Sequence, residues 1–183
     1  PKNQMFKKGV KNPYAETRTT GGSTSGDAAM IALNCVPLCF ASDAAGSVRL
    51  PASFCGLYSL KPTTLRISNR VHGARYRDCP GFIAVDGPIG RSVEDLELAM
   101  QVITEKEAYA NDHLVARALE ERGVLEVWPF VIGYVLEDNS IIDTPACSSR
   151  AVQMSVDALR AHGHTLVPFS PPNNYTAFLE TVK

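Results

Sequence analysis

Two serines set in runs of small residues constrain this chain more than anything else in it. The first lies in Gly21-Gly22-Ser23-Thr24-Ser25-Gly26 and the second in Asp43-Ala44-Ala45-Gly46-Ser47-Val48-Arg49-Leu50-Pro51. Small residues at a turn let backbone N–H groups approach a reacting atom and permit backbone angles that larger residues resist. A fold that uses both runs must therefore bring two tight turns to its surface, with a helix-like and a strand-like segment between them.

The chain has 183 residues and 45% hydrophobic content, enough for a sizeable core. Its 18 Lys and Arg against 19 Asp and Glu give a net charge of −1, which supplies no basic field for nucleic acid or anionic lipid, so no nucleic-acid partner is expected. The longest apolar run, 28–41, is broken by Asn34 and Pro37 and is shorter than the roughly 20 residues of a spanning helix, so no transmembrane segment is expected. Cys35, Cys39, Cys55, Cys79 and Cys147 are odd in number and lack CxxC spacing. They suggest neither a disulfide framework nor a metal clamp, and fit a reducing, intracellular compartment. The first residue is Pro1, so targeting signals are not legible.

Residues 1–20, with four lysines, Gly9 and Pro13, read as an irregular lead-in. Ser25 to Leu33 reads as a helix, with Thr24 and Asp27 as a loose capping box, so that its N-terminal N–H groups point toward Ser23. Val36 to Ala41 and Leu57 to Leu60 read as buried strands. The segment 66–87 reads as a long surface loop with a short strand near Ile83 to Val85. Ser92-Val93-Glu94-Asp95 opens the clearest helix, with Leu96, Ala99, Met100 and Ile103 at helical spacing. Asp112 to Arg122 reads as a further helix ended by Gly123. Near the C-terminus, a strand over Phe130 to Leu136, a helix over Pro145 to Ala161 with Thr144 as N-cap and Pro145 at its first position, and a strand over His164 to Phe169 make a βαβ unit. The fold class is α/β, and the organisation is one partial domain over 1–183: the lead-in to residue 20, a two-serine core and helix over 21–106, and the βαβ unit over 124–183.

Other chemistries fit the residues less well. Gly21 and Gly26 have phosphate-loop spacing, but Asp27 stands where that motif needs Lys, and no G-x-G-x-x-G occurs for a dinucleotide. None of His72, His113, His162 and His164 has a carboxylate partner that the sequence indicates for a Ser-His triad, and no further ligand joins His162 and His164 for a metal. Neither metal nor cofactor is expected. Ser47, beside Gly46 and after Ala44-Ala45, could be a nucleophile with backbone donors nearby, and Ser23 could relay its proton; as isolated residues, both runs could equally be turns and caps.

Taken together, Asn12-Pro13-Tyr14, Arg18 through Gly26, Asp43 through Leu57, Leu60-Lys61-Pro62-Thr63 and Gly87 through Leu96 resemble, in order, the blocks of the amidase signature hydrolases, most of all the branch of fungal acetamidases and fatty acid amide hydrolase. The resemblance extends to Phe130-Val131-Ile132-Gly133 and Ala161-His162-Gly163-His164. It implies a large, twisted, mixed β-sheet covered by helices and cleavage of amide bonds by a Ser-Ser-Lys triad. On the matching positions, Ser47 would be the acyl nucleophile and Ser23 the bridging serine, with a cis peptide bond between Gly22 and Ser23. Ala44, Ala45, Gly46 and Ser47 would give the N–H groups of the oxyanion hole, and Asp43 and Arg49 would support them. The base lysine belongs to a segment well upstream of the glycine pair, so it is expected outside this chain. Lys61 matches a structural element instead.

Two functions compete on this basis. One is an amidase fragment that cleaves a small carboxylic amide through Ser47 once a further segment or protein partner supplies the lysine; the 183 residues by themselves are expected to be inactive. The other is a catalytically inactive, amidase-derived structural subunit of a larger assembly. It is motivated by the absent lysine, by the short length and by the loss of glycine at Ala45, in Ala44-Ala45 where the family has Ile-Gly; Thr24-Ser25 in the first serine run and Leu65 in place of a glycine are further departures from the family pattern.

Overall fold

The computed structural model describes residues 9–64, 66–68, 84–104, 129–136 and 144–169. The chain divides into two compact units, Pro1–Gly123 and Val124–Lys183. The expected helix over 112–122, His72, His113 and Cys79 lie outside the described residues.

The first unit opens on a hairpin where an irregular lead-in is expected. Strands β1 (Lys11–Asn12) and β2 (Ala15–Thr19) pair antiparallel. The Asn12 side chain makes the turn: its Oδ1 accepts the Tyr14 N–H at 3.0 Å, a local bond that asparagine offers in place of a backbone one. Its Nδ2 donates to the Phe54 carbonyl at 2.7 Å, tying the hairpin to a distant segment.

Helix α1 (Ser25–Ala32) follows the first serine turn and buries Ala28, Ala29 and Ile31. Thr24 stands at its cap position, but the buried side chain makes no capping bond, so the expected capping box does not form. At the other end Asn34 takes a positive φ of 60° and donates its N–H to the Ile31 carbonyl at 3.0 Å, and the Arg91 guanidinium donates to the same carbonyl at 3.4 Å and, past the helix, to the Val36 carbonyl at 2.9 Å.

Strand β3 (Leu38–Asp43) carries the chain to the second serine loop, which leads into helix α2 (Arg49–Phe54) and then strand β4 (Tyr58–Ser59). The third strand of this sheet, β5 (Val85–Gly90), is longer than expected and lies in the middle, giving the antiparallel order β3-β5-β4 with Leu38 opposite Gly90 and Asp43 opposite Val85. It contains Gly87 and Pro88, residues that usually end strands. Gly87 is required because a Cβ there would overlap the Leu60 carbonyl oxygen, and the Pro88 carbonyl accepts the Leu60 N–H at 3.1 Å. Gly87→Ala should therefore cost about 1–3 kcal/mol of stability, the range for overpacking, as read by chemical denaturation.

Ile31, Val48, Ala52 and Ile89 form the core, with Val36, Cys39, Ala41 and Leu57 packed against it. One residue of the second serine loop, Val48, is thus anchored among α1, α2 and β5. Burial, with the Asp27 charge adding to it, pushes the Cys39 thiol up to about 11, and burial also raises Cys55, so both stay protonated and serve as packing groups. Cys35 and Cys147 are exposed free thiols.

Helix α3 (Val93–Ile103) begins as its sequence indicates: Ser92 Oγ accepts the Asp95 N–H at 3.1 Å, and Glu94 and Asp95 lie in the first turn, where the helix dipole favours them. Leu96 is its buried residue.

In the second unit, strands β6 (Val131–Tyr134) and β7 (Thr165–Pro168) pair in parallel and are joined through helix α4 (Ala146–Ala161), the expected βαβ arrangement. Pro145, expected inside the helix, is its cap residue, and its carbonyl accepts the N–H groups of Ser148 and Ser149. Gly163 ends the helix with φ of +89°. Val156 is buried, with Val152 and Leu159 half-buried on the same face. His164 is buried, accepts the Phe130 N–H at its Nδ1 at 3.1 Å and stacks on the Phe130 ring, so it is part of this unit's packing. His162 Nδ1 lies 2.8 Å from the Ala158 carbonyl at the helix end.

Candidate active site

The second serine loop is built around one carboxylate. Asp43 ends β3 with its side chain fully buried. Its Oδ1 accepts the Gly46 N–H at 2.7 Å and Arg49 Nη2 at 3.0 Å. Its Oδ2 accepts the N–H groups of Val48 and Arg49 at 3.2 and 3.3 Å, and Arg49 Nε at 3.0 Å. The guanidinium fork and the backbone donors together hold the Asp43 carboxyl well below the usual carboxylate range against the cost of burial, and Asp43 raises Arg49 in turn.

This arrangement dictates the path of the loop. To reach the Asp43 carboxylate with its N–H, Gly46 takes φ of +113°, a region in which glycine alone is at ease. The N–H groups that Asp43 takes up are those of Gly46, Val48 and Arg49; those of Ala44, Ala45 and Ser47 are not among them. Of the four donors expected for an oxyanion hole, Gly46 thus supports the loop from within. Ser47 is half-buried, Ala44 half-buried and Ala45 exposed.

The first serine run is held against the same helix. Gly21, at φ of +80°, lies so close to α2 that a Cβ would stand 3.2 Å from the Pro51 nitrogen and 3.3 Å from Phe54 Cδ2. Its N–H donates to Thr19 Oγ1 at 3.1 Å, and the buried Thr20 hydroxyl donates to the Val10 carbonyl at 3.3 Å. The Gly22–Ser23 peptide bond is cis. Gly22 and Ser23 are exposed, immediately before α1.

Both serine runs thus border α2, one following into it and one packed on it, although no hydrogen bond joins Ser23 to Ser47 among the described residues. Of the lysines described, Lys11 is paired with Glu16 at 3.0 Å and Lys61 follows β4; neither hydrogen-bonds to a serine. No group of three or more His, Cys, Asp or Glu able to hold a metal occurs among the described residues, and no described helix is long and apolar enough to cross a membrane.

Two things went unnoticed in the sequence. Nothing in the spacing of Asp43 announces that three backbone donors converge on it, since that depends on the loop's path. The turn made by Asn12, a residue named above only for its block's resemblance, could have been found, because an Asn-Pro pair ahead of a strand is a turn signal.

Comparison with known proteins shows the family of the chain. The family model Amidase matches residues 2–181. The Vitamin D3 hydroxylase-associated protein of Gallus gallus is 40% identical over 162 residues, covering 88% of this chain and 35% of that protein. Fatty-acid amide hydrolase 1 of Sus scrofa is 35% identical over 164 residues, covering 88% of this chain and 28% of that protein. Among solved structures, a fatty acid amide hydrolase superposes with a TM-score of 0.69 at 28% identity, over 91% of this chain and 30% of its own. The chain spans about a third of the length of the curated relatives it matches. With the family match running through both compact units, and the α/β architecture shared with a solved member, the chain belongs to the amidase signature family.

Proposed function

We propose that this chain is the serine-bearing part of an amide hydrolase, its two units being parts of one amidase domain, and that Ser47 is the acyl nucleophile. The Ser47 oxygen attacks the amide carbonyl carbon while its proton passes through Ser23 to a lysine contributed from outside these residues. The N–H groups of Ala44, Ala45 and Ser47 receive the developing oxyanion. The C–N bond then breaks, the amine leaves with the proton, and water hydrolyses the acyl-serine to the carboxylic acid.

The observation that carries this reading is the division of donors around Asp43. A buried carboxylate takes the N–H groups of Gly46, Val48 and Arg49, which leaves those of Ala44, Ala45 and Ser47 outside its reach beside a half-buried hydroxyl. Amide hydrolysis is also what the printed name of the Sus scrofa relative describes. Completion of the site by further polypeptide is supported by the edge positions of β3 and β4 among the described strands and by exposed apolar side chains such as Phe40 and Tyr58.

The test is turnover by the full-length protein on a panel of small alkyl and aryl amides. Release of amine and carboxylic acid in equal amounts is expected. A folded full-length protein that turns over none of them would overturn the proposal in favour of an inactive structural subunit.

A further inference from the structure

A cleft of about 410 Å³ opens between the β1–β2 hairpin and the end of α2, lined by Asn12, Tyr14, Ala15, Arg18, Thr19 and Phe54. Its walls are tied together, since the Asn12 amide donates to the Phe54 carbonyl at 2.7 Å. Neither serine lines it, and its link to their turns runs through helix α2, whose Phe54 is in the lining. Phe54 lies against Gly21 on the Ser23 side, and Leu50, one helical turn earlier on the same face of α2, folds over Gly46 beside Ser47, its Cδ1 2.9 Å from where a Gly46 Cβ would stand. Leu50 and Phe54 are both about half exposed, at 46% and 49%. An apolar ridge on α2 therefore runs from the Ser47 loop, past the Ser23 turn, into the cleft.

The chemistry of the cleft is specific. Tyr14 and Phe54 present exposed aromatic surface. The charged residue in its lining is Arg18, and among the described residues Arg18 has no ion-pair partner, whereas the nearby Lys11 and Glu16 neutralise each other. Exposed aromatic surface binds a flat or apolar body, and a guanidinium recognises a carboxylate with fixed geometry.

We infer that the cleft is a distal subsite of the Ser47 site, that it takes the far end of an amide substrate with an apolar body ending in a carboxylate, and that Arg18 is its specificity-determining residue. This rests on the reading of Ser47 given above. Arg18 touches no reacting atom in this account; it selects the substrate by its anionic end.

The experiment uses the full-length protein with paired acetamides of increasing chain length, each ending either in a carboxylate or in the corresponding alcohol. At the chain length that spans ridge and cleft, kcat/KM should favour the carboxylate by about fivefold, the scale of one partly solvated charge pair. Arg18→Gln should abolish that preference and leave the alcohol series unchanged, and Arg18→Lys should restore part of it. Labelling of Ser47 by a small fluorophosphonate should be the same in all three proteins, which also shows that the variants are folded. A wild type without carboxylate preference at any length, or an Arg18→Gln variant that slows both series equally, overturns the subsite. Absence of labelling at Ser47 in the wild type overturns the assignment of the nucleophile instead.

Discussion

Replacing Asp43 by alanine should cost about 2–5 kcal/mol of folding stability, the scale of leaving the buried Gly46 and Val48 N–H groups without an acceptor, seen as a fall in the denaturation midpoint of the full-length protein. The effect is large because one carboxylate with no exposed surface satisfies three backbone N–H groups and both faces of the Arg49 fork. Alanine leaves the buried Gly46 and Val48 N–H groups without an acceptor at their full desolvation cost, while the half-exposed Arg49 guanidinium can turn to water. Asp43→Asn keeps one acceptor oxygen and should lose less. The pH dependence has a definite sign. The folded-state value of Asp43 is depressed below its ordinary 3.8, so its stabilisation is present in full above about pH 5 and is lost as the pH falls through and below the ordinary value. The alanine variant should therefore show a flatter decline of stability in acid than the parent protein. Equal acid slopes in the two would contradict the placement of this carboxylate.

Ser47→Ala should lower amide turnover of the full-length protein by at least about 10⁴-fold, the scale on which removing a covalent nucleophile acts, with little change in stability. The side chain is half-buried at the surface of its loop, and the hydrogen bonds that hold the loop run from Gly46, Val48 and Arg49 to Asp43, not through the serine hydroxyl. A stable variant without turnover separates the role of Ser47 from that of Asp43, whose loss should remove both activity and stability. A Ser47→Ala protein that retains even a tenth of parental turnover would exclude acylation there.

How much of this was legible beforehand varies along the chain, for physical reasons. Helix α3 could be read in full because its start is chemically explicit: Ser92 as cap, Glu94 and Asp95 behind it, and apolar residues at helical spacing. The βαβ unit was equally plain, from two short apolar runs and a helix closed by Gly163, although Pro145 proved to be the cap residue and not the first helical one. The central strand β5 was hidden because its residues are chosen for close approach. Gly87 yields to the Leu60 carbonyl, and Pro88 pairs through its own carbonyl, so the segment carries turn formers while lying in the middle of a sheet.

The hairpin over 11–19 escaped for the opposite reason. Its strands are short and polar, and what holds it is the side chain of Asn12, bonded to a residue in α2 that no local pattern can indicate. In the serine loops, the small residues and the resemblance they carry marked the candidate site, and the cis bond between Gly22 and Ser23 is where the resemblance implies it. The inward commitment of the Gly46 N–H was not legible, because it depends on where the Asp43 side chain turns once β3 ends.

The most direct measurement is covalent. The full-length protein is treated with a small fluorophosphonate, digested, and the adduct located by mass spectrometry. A single stoichiometric adduct is expected on the peptide that spans 44–49, carried by the Ser47 oxygen and absent from Ser47→Ala, if Ser47 is the acyl nucleophile. An adduct that persists undiminished in Ser47→Ala, or one that maps to Ser23 or another residue in the parent protein, would contradict it.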